Sequence, residues 1–104
     1  VIFVETPIFT TAVKELLSDD EYAAFQHYLA ANPDAGAVIQ ATGGMRKVRW
    51  AAGGKGKSGG VRIIYFWRTS ASEIRLILIY RKGIKDDLTA REKATLRKIT
   101  EEWQ

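Results

Sequence analysis

The sequence predicts an α+β domain, with a mainly antiparallel sheet packed by an N-terminal helical hairpin and a C-terminal helix. Two patterns and a length lead there. Apolar residues recur at helical spacing in the first third of the chain and again near its end. The middle changes to strand-like runs rich in Ile, Val, Tyr and Trp. A chain of 104 residues can bury one modest core and not two, so 1–104 is read as a single domain.

Each element follows from local chemistry. Residues 1–4 are a short apolar run, read as a strand. Thr6-Pro7 opens a helix: the threonine can cap free N–H groups, and proline fits the first turn. Phe9, Ala12, Val13 and Leu16 then share one helical face. Ser18 and Glu21 have the spacing of a capping box for a second helix, whose inner face carries Tyr22, Phe25, Gln26 and Leu29. Asn32-Pro33 ends it. Residues 45–50, 61–68 and 73–81 read as strands, with a short extra strand placed near 37–40. The polar turn 69–72 joins the last two strands as an antiparallel hairpin, and 53–60 reads as a mobile loop. Residues 74–80 are apolar on both faces apart from Arg75, which suits a strand covered by helices on both sides. Thr89 and Glu92 form a second capping box, and Leu96, Ile99 and Trp103 line the final helix. The expected order is β-α-α-β-β-β-α.

Composition removes several function classes. With no cysteine and a single histidine, His27, disulfides, thiol chemistry and a zinc site are not expected. No apolar run is long enough to span a membrane and no signal peptide is visible, so the expectation is a cytoplasmic protein without cofactor or membrane partner. The charge distribution is more telling than the net +4. Residues 1–35 carry one base against six acids, net −5; residues 36–82 carry ten bases against one acid, net +9; residues 83–104 are balanced. A basic middle of this kind is the footprint of a polyanion-binding surface.

Candidate chemistry sits in that middle. Side chains alternate along a strand. If Val48 and Trp50 face the core together with Arg46, then Lys47 and Arg49 project from the other face. Two like charges so placed repel unless an anion such as phosphate lies between them. The stretch that follows, 52–60, interleaves glycines with Lys55 and Lys57. It suits a basic loop lying along a sugar–phosphate backbone. It is not a nucleotide-triphosphate loop: Gly56-Lys57-Ser58 supplies the end of that motif, but Ala51 stands where its first glycine belongs, and a strand rather than a helix follows. Arg62 opens the next strand and Tyr80-Arg81-Lys82 closes the last. In an antiparallel pair these ends adjoin, so Arg62 and Lys82 are expected at one edge of the sheet. A basic cluster with an aromatic neighbour is what an RNA backbone and an unstacked base require. Cleavage there needs no protein nucleophile, because the ribose 2′-hydroxyl attacks its own phosphate. The protein must orient the line of attack, stabilise the crowded charge and move protons.

Four segments together carry a family resemblance. They are Gly43-Gly44-Met45-Arg46-Lys47-Val48-Arg49, Gly54-Lys55-Gly56-Lys57-Ser58-Gly59-Gly60-Val61-Arg62-Ile63-Ile64-Tyr65-Phe66, Ile79-Tyr80-Arg81-Lys82 and Asp87-Leu88-Thr89. The chain resembles the HigB branch of the RelE toxin superfamily, over essentially its whole length. The resemblance implies the compact RelE-like domain. It implies cleavage of mRNA in the ribosomal A site to a cyclic phosphate and a 5′-hydroxyl, hence contacts to ribosomal RNA and a block of translation. It also implies a cognate antitoxin with a helix-turn-helix domain. Carried over residue by residue, it assigns catalysis to Lys47, Arg49, Arg62 and Lys82, with Arg81 as the alternative to Lys82. Arg46, Lys55, Lys57, Tyr65, Tyr80 and Arg81 are assigned to binding RNA and the ribosome. Better-known members carry a tyrosine in or near the last helix. None follows Tyr80 here, so Tyr80 or Tyr65 replaces it or the role is absent. A ParE-like inhibitor of DNA gyrase and a non-catalytic RNA-binding module are the alternative readings.

Overall fold

The helix starts expected from the sequence are built as capped ends. Thr6 Oγ1 accepts from the Phe9 amide at 3.1 Å and donates to the Ile77 carbonyl at 2.8 Å, so one hydroxyl both starts the first helix and pins it to the sheet. Ser18 and Glu21 satisfy each other reciprocally, at 2.7 and 3.1 Å. Thr89 and Glu92 repeat the arrangement at 2.9 and 3.1 Å. Losing such a cap typically costs about 0.5–2 kcal/mol.

A computed structural model describes residues 1–51, 60–83 and 88–102. The elements are β1 (Ile2–Glu5), α1 (Pro7–Leu16), α2 (Asp19–Ala31), β2 (Ala37–Val38), β3 (Arg46–Trp50), β4 (Val61–Arg68), β5 (Glu73–Arg81) and α3 (Ala90–Glu102). A single 3-10 turn, Thr69–Ala71, followed by Ser72 at φ 49°, makes the β4–β5 hairpin. The five strands lie in the order β1-β5-β4-β3-β2. Among the described residues only β1 runs parallel to its neighbour; the other pairs are antiparallel. The fold is therefore α+β, as the alternation of patterns predicts, and the extra strand near 37–40 is present as the two-residue β2.

Helices cover both faces of the sheet. On one face Phe9, Val13 and Leu17 of the first helical segment and Phe25 and Leu29 of α2 pack on Val48, Val61, Ile63, Tyr65, Ile74, Leu76 and Ile79. On the other, Leu96 of α3 joins Met45, Ile64, Phe66, Ile77 and Leu88. The inner strands β4 and β5 are thus apolar on both sides because both sides are covered. Trp103 of the predicted helical stripe lies outside the described residues.

The last helix is also held by a buried polar contact. Thr100 Oγ1 lies 3.0 Å from both the Thr42 and Leu96 carbonyl oxygens. Thr42 in turn accepts from the Met45 amide at 3.1 Å and donates to the Ile39 carbonyl at 2.7 Å. Gly43, between them, has φ +79°, and a Cβ there would lie 3.1 Å from Thr100 Cβ. The Gly43-Gly44 pair therefore turns the chain into β3 and lets α3 approach.

Candidate RNA-binding and catalytic face

Strand register decides which charged residues meet. Val48 is buried in the helical-hairpin core, and Trp50 packs edge-on against Phe25, with centroids 5.4 Å apart, and beside Tyr28. That fixes the orientation of β3, so Lys47 and Arg49 project from the opposite face. Across the β3–β4 ladder Arg49 pairs with Arg62, and Lys47 with Ile64. Across the β4–β5 ladder Arg62 pairs with Tyr80. Directly paired residues share a face with Cβ atoms about 4.5–5.5 Å apart. Arg49, Arg62 and Tyr80 therefore form one row over three strands, with Lys47 beside it.

A β-bulge sets this row. Ile64 pairs with Leu78 but Tyr65 pairs with Leu76, leaving Ile77 as an extra residue in β5. As a result Leu76 and Ile79 both belong to the core under α1 and α2, while Ile77 and Leu78 both belong to the side under α3. Without the bulge, Tyr80 would alternate onto the face of Leu76. With it, Tyr80 stands beside Arg62. Bulges commonly re-aim side chains next to functional sites.

Lys82 lies just past β5, exposed, and its amide donates to the Gly60 carbonyl at 3.2 Å. That bond extends the lacing of β4 and β5 one step beyond the Arg62–Tyr80 row, and Lys82 continues the alternation of Tyr80. Arg81 pairs with Val61 and takes the other face, with Ile79. Register thus favours Lys82 over Arg81 as the basic group grouped with Arg62. Arg62 Nη1 stands 3.5 Å from the Val61 carbonyl, at the outer limit for a hydrogen bond. Tyr80 is half-buried against the core under α3, with its hydroxyl oxygen shielded from solvent. Half-buried in this way, it is not an open stacking surface.

Besides Arg81, two sequence-assigned binding residues, Tyr65 and Arg46, do not join this face. Tyr65 is 0% exposed and lies under the helical hairpin; its hydroxyl donates to the Pro33 carbonyl at 2.7 Å and accepts from the Gly36 amide at 3.0 Å. The expectation that its ring meets RNA is corrected: its hydroxyl ties the 33–36 turn to the sheet. Burial pushes the Tyr65 hydroxyl above its ordinary pKa, partly offset by the Gly36 hydrogen bond and the Arg46 charge. Arg46 shares that inner face and donates from Nη1 to the Gly36 carbonyl at 2.9 Å and the Asp34 carbonyl at 3.2 Å. It holds the same turn rather than standing with Lys47 and Arg49. The turn closes tightly enough that a Cβ on Gly36 would come 2.9 Å from Tyr65 Cε1. Lys55 and Lys57 lie outside the described residues.

Sequence reasoning missed the buried pair Thr42 and Thr100 and the Glu5 cluster, in which Tyr22 and Thr10 donate to the two carboxylate oxygens at 2.5 and 2.6 Å. No periodicity marks such contacts, because each depends on how separate elements pack. Burial, followed by the hydrogen bond to Glu5 and its charge, pushes the Tyr22 hydroxyl well above the ordinary tyrosine range. Among the described residues no group of His, Cys, Asp or Glu could hold a metal ion, and no helix is long and apolar enough to cross a membrane.

A comparison of the chain with known protein families returns no match.

Proposed function

We propose that this protein is a ribosome-dependent mRNA endoribonuclease, a RelE/HigB-type toxin that cuts mRNA in the ribosomal A site and stops translation. The observation that supports this most is the Arg49–Arg62 cross-strand pair, with Lys47 on the same face of β3 and Lys82 just past the end of β5. Like charges placed directly opposite destabilise a sheet. Several cations along one face of a sheet match the run of charges on an RNA backbone, whose phosphates would lie across them.

In this reading Lys47 and Arg49 grip the backbone flanking the scissile phosphate. Arg62 faces the reacting phosphate and stabilises the charge that builds as the 2′-oxygen attacks and its proton passes to water. The P–O5′ bond breaks, leaving a 2′,3′-cyclic phosphate and a 5′-hydroxyl. Lys82, at the end of the row, delivers a proton toward the departing 5′-oxygen. Tyr80 stands beside Arg62 in the same row. Lys55 and Lys57 contribute cations for ribosomal RNA, and the protein's inhibitor is a helix-turn-helix antitoxin.

The test is primer extension on mRNA in a reconstituted translation system. Cuts should appear only with translating ribosomes present, and Arg62→Ala should remove them. Binding of ribosomes without any cut would identify a non-catalytic RNA-binding module. Inhibition of DNA supercoiling with intact mRNA would identify a gyrase inhibitor.

A further inference from the structure

The sheet has two edges of different character. At one, β2 is only two residues long, too short to recruit another strand. At the other, β1 is twice as long, with the sequence Ile-Phe-Val-Glu; it contains no proline or lysine, and Glu5 is its single charge. Ile2 donates its amide to the Ser72 carbonyl at 3.0 Å, and Thr6 to the Leu76 carbonyl at 3.1 Å. The even-numbered positions thus point at β5, and by alternation the main-chain groups of Phe3 and Glu5 turn toward the outer edge, where no described strand lies.

The side chains beside this edge are apolar and open. Val1 is 56% and Ile2 62% exposed. On the α2 side a groove of about 310 Å³ runs between Val1 and Phe3 of the edge and Ala23, Gln26, His27 and Ala30 of the helix. The alanines leave room for side chains from an added strand. Asp20 precedes Ala23 by three residues, on the same helical stripe as Ala23, His27 and Ala30. Asp19 and Glu21 flank it, in a 35-residue segment whose net charge is −5.

We propose that β1 and this groove form a docking site for an extended segment of a protein partner, added as a sixth strand, with apolar and basic side chains in alternation. Main-chain pairing to Phe3 and Glu5 supplies the affinity, and side-chain alternation supplies the selection. Apolar residues of the segment enter the groove against Ala23 and Ala30, and its cations meet Asp20 and its neighbours. A second copy of this chain is a poorer occupant, since pairing β1 with β1 would bring two acidic segments together. The proposal concerns the edge away from the basic face and does not depend on what that face does.

The experiment uses a fluorescent ten-residue peptide alternating valine and lysine, titrated into the whole protein. Anisotropy should report binding, and amide exchange should slow at Phe3 and Glu5. A peptide with glutamate in place of lysine should bind at least tenfold more weakly, and N-methylation along one edge of the valine–lysine peptide should abolish binding. The double variant Asp20→Lys, Ala23→Lys changes only exposed positions and should weaken binding at least tenfold with unchanged circular dichroism. The proposal is overturned if the glutamate peptide binds equally, if the double variant is indifferent, if protection falls on β3 and β4 instead, or if Phe3 and Glu5 become protected by self-association alone.

Discussion

Arg49 and Arg62 stand directly opposite each other on one face of the β3–β4 ladder. Both are cations, and like charges directly opposite across a strand pair repel by about a fraction of a kcal/mol. Arg49 is exposed and Arg62 only half-buried, so water screens the repulsion without removing it.

Arg49→Gln should therefore stabilise the folded protein, by about 0.2–1 kcal/mol at low salt, while lowering mRNA cutting. Thermal unfolding at two ionic strengths checks the first part: the gain should shrink as salt is added. Loss of stability in Arg49→Gln at every salt concentration would show that the pair is not in conflict.

Arg62→Ala should reduce cleavage by about 10²–10³-fold, the usual effect of removing one preorganised charge from a transition state. The melting temperature should change little. Primer extension with translating ribosomes measures the rate. Full activity in this variant would remove Arg62 from the reaction.

Tyr65→Phe should destabilise the fold by about 1–3 kcal/mol, because the buried Gly36 amide and Pro33 carbonyl both lose their partner. The rate per folded molecule should stay the same, since the ring lies on the face away from the arginines. Gly36→Ala should damage the same turn through a contact with Tyr65 and the Lys47 carbonyl. Denaturant unfolding and a cleavage assay on the same samples separate stability from activity.

Alkaline pH should weaken the protein through Tyr22. Its folded pKa is raised, so the native state holds a proton that the unfolded chain releases near pH 10. Stability from this group is complete below the unfolded pKa and falls as pH rises beyond it, with a limiting slope of about 1.4 kcal/mol per pH unit. Tyr22→Phe should flatten the alkaline limb of a stability–pH curve. An unchanged slope would mean that other groups set it, with Tyr65, raised in the same direction, the first to examine.

Much of the architecture is legible in the sequence because the signals are local. A cap needs only residues three apart, as at Ser18–Glu21 and Thr89–Glu92, and the structure shows both pairs bonded. A helix face needs only a period, so spacing alone assigns Phe9, Val13, Phe25 and Leu29 inward, and all four are buried. Alternation alone separates Lys47 and Arg49 from Val48 and Trp50, because β3 is regular.

What the sequence leaves open is the part that depends on distant contacts. Residues 74–80 are apolar on both faces, so a period of two cannot say which of them looks toward which helix. The bulge at Ile77 sets that, and with it the placement of Tyr80 beside Arg62 and of Arg81 on the opposite face. Arg46 and Tyr65 look by composition like parts of a nucleic-acid surface. Only the approach of the 33–36 turn, about ten residues from one and nearly thirty from the other, occupies their polar groups. Local sequence determined the elements and the charge that an anion would meet. Tertiary packing decided which cations share a face, because register is fixed by the two cores on either side of the sheet and not by the residues that use it.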